Sequence, residues 1–111
     1  MAKQPGADVL ERLFAVIESR RGADPKSSYT AKLFAKGRAK ITEKVGEEAI
    51  ETVIAAIGEG PERVAAESAD LLYHLLVLWA ETGVAPADVW AELERREGTS
   101  GLAEKKTRET S

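Results

Sequence analysis

Apolar residues recur along this chain at spacings of three and four rather than two, and no alternating run is bounded by turns. The pattern predicts an all-α fold. Val9, Leu10, Leu13, Phe14, Val16 and Ile17 put a broad apolar face on a helix from Asp8 to Arg21. Gly22, Asp24, Pro25, Ser27 and Ser28 make the next stretch a loop. Thr30 is the expected N-cap of a segment reaching Ala39, with Gly37 as a break inside it. Helix resumes near Ile41 and runs to Ile57, with Ile50, Val53, Ile54 and Ile57 forming an arc expected to face the core. Gly58 and Gly60 stop it, and Pro61, whose missing N–H is least harmful at a helix start, opens the next helix as far as Thr82. Gly83 ends that helix; Pro86 opens a last one to Glu97, closed by Gly98. On the longest segment Glu67, Asp70, His74 and Glu81 share one stripe, and the other positions from Leu71 to Trp79 are apolar on every side. Such a helix should be largely buried.

At 111 residues the chain has room for one core. Residues 1–98 are expected to form the helical domain and 99–111 a polar tail ordered by substrate or a partner subunit. With no cysteine, disulfides, thiol nucleophiles and CxxC redox pairs are excluded. The most apolar run, LLYHLLVLWA, is far shorter than the ~18 residues a membrane span requires, and the N-terminus carries no apolar leader core, so a cytoplasmic protein is expected.

The net charge of −3 conceals a strong asymmetry. Residues 20–44 hold eight basic side chains (Arg20, Arg21, Lys26, Lys32, Lys36, Arg38, Lys40, Lys44) against Asp24 and Glu43, whereas residues 45–94 hold eleven acidic ones against Arg63 alone. This layout suits a polyanionic ligand bound through a cation, lysines meeting the anion and carboxylates the metal.

The carboxylates fall into two motifs, EEAIE (Glu47, Glu48, Glu51) and ESAD (Glu67, Asp70), one on each of two consecutive helices. The connection EGPE is short, so the helices should pack antiparallel and bring the two sets together. Asp70 heads the apolar stretch, where an unpaired carboxylate costs several kcal/mol, so something must compensate it. Interhelical salt bridges are one answer, with Lys44 and Arg63 as partners, but two cations are few for five carboxylates. Oxygen-only donors at that density point to a hard ion such as Mg²⁺. A di-iron site built on two Glu-x-x-His pairs is excluded by the single histidine, and His74 reads as a packing or supporting residue. Phe14, Phe34, Trp79 and Trp90 read as core or subunit-interface anchors. Lys32, Lys36, Lys40 and Lys44 recur every four residues, so on one continuous helix they would trace a stripe leading to the carboxylates. Ammonium groups beside Mg²⁺ are what a di- or triphosphate needs for charge neutralisation during attack by water.

Three blocks in order, KITEKVGEEAIETVIAA, ESADLLYHLLVLW and SGLAEKKTR, closely resemble the phosphoribosyl-ATP pyrophosphatases, members of the all-α MazG-like nucleotide pyrophosphohydrolases. The resemblance spans Val9 to Arg108. It implies a bundle of four to five helices completed by homodimerisation, and Mg²⁺-dependent hydrolysis of phosphoribosyl-ATP to phosphoribosyl-AMP and pyrophosphate, the second step of histidine biosynthesis. Matched residue by residue, the superfamily's metal pattern falls on Glu48, Glu51, Glu67 and Asp70, with Glu47 as an accessory carboxylate. Lys40 and Lys44 would meet phosphate, as would Lys105 and Arg108 in the C-terminal block. One departure is Ala85 before Pro86, where a Ser or Thr cap is expected. The competing readings are a MazG-like enzyme clearing other nucleoside triphosphates and a non-catalytic helical dimerisation module. No nucleic-acid or membrane partner is expected.

Overall fold

The computed structural model describes residues 5–98 and 101–110, which form helices and connecting turns. Among the described residues six helices follow in order: α1 (Asp8–Ser19), α2 (Tyr29–Lys36), α3 (Arg38–Gly58), α4 (Pro61–Thr82), α5 (Pro86–Glu97) and α6 (Gly101–Thr110). No helix among the described residues is long and apolar enough to cross a membrane.

Glycine and proline set the helix ends, because they act through local backbone geometry. Gly37 has φ 96° and ψ 176°, a region essentially reserved for glycine, and its N–H closes α2 on the carbonyls of Leu33 and Phe34. The chain therefore turns between α2 and α3, so Lys32 and Lys36 lie on a different helix from Lys40 and Lys44. The single lysine stripe expected across this region is broken. The cap of α2 is Ser28, whose hydroxyl accepts the Ala31 N–H at 3.1 Å. Thr30, expected to cap, is instead buried and hydrogen-bonded to the Tyr73 hydroxyl. Gly83, at φ 78° and ψ 20°, ends α4 in the left-handed region. Ala85 brings no capping side chain to α5, but the Asp88 carboxylate accepts the Ala85 N–H at 2.9 Å and supplies part of what a Ser or Thr would have done.

Helices α3 and α4 are joined by Glu59 and Gly60 alone and pack against one another more extensively than any other pair. Their far ends are tied by Arg38, which reaches the Glu81 carboxylate at 3.7 Å and donates to the Glu81 carbonyl at 3.3 Å. Helices α1 and α2 close over α4, and Ile17, Leu33, Ile41, Leu76, Val77 and Ala80 form the buried core. Phe14, Phe34 and Trp79 pack against it, while the Trp79 and Trp90 rings meet edge to face at 5.9 Å.

Two expectations about the core are corrected. On α3 the inward positions are Ile41 and Ala55, with Val45, Ala49 and Thr52 half-buried, whereas Ile50, Val53, Ile54 and Ile57 are 62%, 55%, 49% and 82% exposed. Periodicity correctly placed those four on one arc, but no described element covers that arc. On α4 the stretch Leu71–Trp79 is buried or half-buried at every position but Leu72, as expected, whereas Asp70 at its head lies at the surface. The stretch Gly101–Thr110, read from its polarity as a tail, is helical, consistent with the strong helix formers Leu102 to Lys106. Residues 1–4, Thr99, Ser100 and Ser111 lie outside the described residues.

Replacing Gly37 with alanine tests how strongly the α2–α3 turn is specified. A Cβ there would meet nothing within 4 Å, so the penalty is purely conformational. Gly37→Ala should lower unfolding stability by about 1–3 kcal/mol in a urea titration; an unchanged midpoint would contradict the assigned backbone.

Candidate metal centre

The short connection between α3 and α4 brings side chains about ten residues before the turn opposite those roughly seven to ten residues after it. Glu48 on α3 and Glu67 and Asp70 on α4 thereby converge, each offering an oxygen within 4.8 Å of the others. Of the five carboxylates singled out from the sequence, these three are gathered. Glu47 and Glu51 lie on the same α3 face, one turn apart, but outside the trio.

The members differ in environment. Glu67 is 8% exposed and accepts a charge-assisted hydrogen bond from Arg63, one turn earlier on α4. Glu48 is half-buried, and Asp70 is exposed. The buried carboxylate of α4 is thus Glu67 and not Asp70 as expected, because neighbouring helices enclose the α4 face carrying Glu67 and His74. Neither Glu48 nor Asp70 has an ion pair among the described residues. Glu81, on the same sequence stripe, is engaged by Arg38 at the other end of the hairpin and plays no part in the cluster.

Lys44 borders the trio on α3 and bonds Glu47 at 3.0 Å. That hydrogen bond raises the Lys44 pKa, with smaller contributions from Tyr29 and Glu48, and lowers that of Glu47. Lys44 is therefore firmly cationic beside the carboxylates. Lys40, one turn earlier, lies 3.5 Å from Glu43. Lys105 and Arg108 are exposed on α6, three residues apart and so on one helix face.

Behind the cluster lies a polar network that sequence reasoning only partly anticipated. His74 is 5% exposed; its Nδ1–H donates to the Asp70 carbonyl at 2.8 Å, which leaves Nε2 to accept the Tyr29 hydroxyl at 3.1 Å. Tyr73 stacks on Tyr29 with centroids 6.2 Å apart, and burial pushes its phenol pKa up. With both ring nitrogens engaged, His74 supports α4 instead of supplying a ligand. Tyr29 was missed because it stands 45 residues from its partner, at a helix start where no periodic signal singles it out.

Three oxygens from two helices, one of them nearly buried, form a donor set suited to a hard divalent cation. The geometry needs no histidine or cysteine.

Known proteins resemble the chain over most of its length. The family described as phosphoribosyl-ATP pyrophosphohydrolase matches residues 10–97, a span that includes the whole carboxylate cluster and ends before Lys105 and Arg108. A phosphoribosyl-ATP pyrophosphatase of Paramagnetospirillum magneticum is 66% identical over 90% of this chain and 92% of its own length. Namesakes from Rhodospirillum rubrum and Azospirillum brasilense are 62% and 61% identical, each over 94% of this chain, covering 89% and 94% of their own lengths.

If His74 supports the site without binding the cation, His74→Gln should lower stability by about 1–3 kcal/mol through its lost buried hydrogen bonds. A Mn²⁺ titration followed by electron paramagnetic resonance should still show binding; complete loss of binding in a folded variant would make His74 a ligand.

Proposed function

The chain belongs to the phosphoribosyl-ATP pyrophosphohydrolase family, and from that membership we infer that it hydrolyses phosphoribosyl-ATP to phosphoribosyl-AMP and pyrophosphate in histidine biosynthesis. The observation that carries the assignment of the site is the convergence of Glu48, Glu67 and Asp70 beside Lys44.

We propose that these three carboxylates hold Mg²⁺, with Glu51, one turn beyond Glu48, as the fourth acidic member of the set. Bound there, the ion neutralises phosphate charge and makes water a stronger nucleophile. The chain's own groups supply the rest. Lys44 presents its ammonium at the edge of the cluster, where a substrate phosphate oxygen can replace the Glu47 carboxylate as its partner. Glu47 serves as the accessory carboxylate that positions Lys44 beforehand. Lys40 adds positive charge one turn away, and Lys105 and Arg108 bring a second basic pair from α6, which substrate or a partner subunit orders against the site. His74 and Tyr29 hold the α4 backbone at Asp70, so that its side chain starts from a fixed position.

We further propose that the working form is a homodimer. Ile50, Val53, Ile54 and Ile57 lie at i, i+3, i+4 and i+7 on one exposed arc of α3, with exposed Leu72 on the packed partner helix. Enclosing each such side chain stabilises by about 1.5–3 kcal/mol, and a second copy provides the matching surface. The arc adjoins the stripe of Glu47, Glu48 and Glu51, so association would also shield the carboxylates from water. A cytoplasmic location fits this soluble-substrate chemistry.

Phosphorus NMR on phosphoribosyl-ATP with Mg²⁺ should show pyrophosphate as the first product; orthophosphate appearing first would contradict the reaction. Deoxynucleoside triphosphates under the same conditions should turn over far more slowly, and equal rates would point to a general nucleotide pyrophosphohydrolase. In light scattering at micromolar concentration the wild type should have twice the chain mass, and Ile54→Glu combined with Ile57→Glu should halve it. A monomeric wild type would remove the dimer.

A further inference from the structure

We propose that Arg63 is a resident cation of the carboxylate cluster, held on Glu67 in the metal-free protein and released onto Glu59 when a divalent ion takes that carboxylate. The inference rests on the metal-site reading above and concerns how that site loads. Glu67 is the most enclosed member of the trio, its side chain 10% exposed, and the Arg63 guanidinium bonds it directly. Among the described residues no other cation engages that carboxylate: Lys44 is held by Glu47 and Lys40 by Glu43. A nearly buried carboxylate beside two others needs a positive partner, so in the absence of metal the arginine keeps this part of α4 in place.

The same arginine is built to leave. Its side chain is 58% exposed, so the guanidinium can swing without disturbing the core. Its Nε already lies 3.6 Å from Glu59, one turn before it on the connection between α3 and α4. Arg63 thus stands between two carboxylates four residues to either side, only one of which belongs to the cluster. A divalent ion shared by Glu48, Glu67 and Asp70 would approach the oxygens that the guanidinium occupies, and two cations cannot crowd one carboxylate without repulsion. The arginine then yields Glu67 and retains Glu59.

Exchange has a two-sided consequence that other roles for Arg63 lack. Removing the guanidinium should weaken the metal-free fold and strengthen metal binding. A purely structural salt bridge would lower stability with and without metal and leave affinity unchanged; a phosphate-binding arginine would alter neither without substrate.

The test uses the full chain as wild type, Arg63→Gln and Arg63→Lys. Each is titrated with Mn²⁺ by electron paramagnetic resonance, and melting temperatures are taken in EDTA and in saturating Mn²⁺. Exchange predicts that Arg63→Gln binds Mn²⁺ roughly three- to tenfold more tightly, the loss of one competing charge-assisted hydrogen bond. It also predicts a lower melting temperature in EDTA and an unchanged one in Mn²⁺, with Arg63→Lys intermediate. An Arg63→Gln affinity equal to or below wild type, while wild type binds, overturns the exchange and leaves the metal site standing. Should Arg63→Gln not stay folded in EDTA, Arg63→Lys decides: affinity above wild type supports exchange, and equal or lower affinity overturns it. A wild type that binds no Mn²⁺ overturns the metal-site reading and this inference together.

Discussion

Two residues, Glu59 and Gly60, join the two longest helices of the chain, and that shortness is the constraint on which the rest depends. A hairpin so tight leaves α3 and α4 little freedom to slide, so Glu48 must face Glu67 and Asp70 whatever their mutual repulsion. At separations of this order each pair of like charges repels by roughly 1–4 kcal/mol, depending on how much water screens it. Much of the surrounding structure offsets that repulsion. Arg63 engages Glu67, Lys44 turns toward Glu47, and Arg38 clamps the open end of the hairpin to Glu81. The proposed Mg²⁺ would add the positive charge that these side chains do not supply.

The smaller helices keep the hairpin in register. Helix α2 plants Leu33 in the core and sets Tyr29 and Thr30 against His74 and Tyr73, so the polar groups buried behind the cluster find partners across the α2–α4 contact. Through His74 this network ends on the Asp70 backbone, connecting the packing of a helix without ligands to the placement of a carboxylate. The opposite side of α3 is apolar and exposed, so the described elements are organised around the acidic cluster and leave the adjoining arc uncovered.

Features that depend on a residue's own backbone were legible in the sequence. The breaks at Gly37 and Gly83 and the starts at Pro61 and Pro86 stand where glycine and proline demand them. The acidic stripes were legible because helical periodicity is local. Matters decided by what packs against a residue were not. The isoleucine arc of α3 has the periodicity of a core face, and only the arrangement of the other helices shows that none covers it. The same absence of a neighbour leaves Asp70 exposed, whereas Glu67, three positions earlier, is enclosed. Ser28 and Thr30 competed as caps with similar chemistry, and the tertiary bond to Tyr73 drew Thr30 inside.

Arg63 offsets the repulsion among Glu48, Glu67 and Asp70 only at Glu67, and the proposed cation would relieve the remainder; melting curves of wild type and Asp70→Asn in EDTA and in Mg²⁺ test this most directly. The substitution removes one charge at nearly constant volume from an exposed carboxylate without an ion pair among the described residues. With a cation site there, Mg²⁺ should raise the wild-type melting temperature, and Asp70→Asn should be as stable as wild type or more so in EDTA and lose most of the Mg²⁺ effect. A variant markedly less stable than wild type in EDTA, with a wild type indifferent to Mg²⁺, would contradict it.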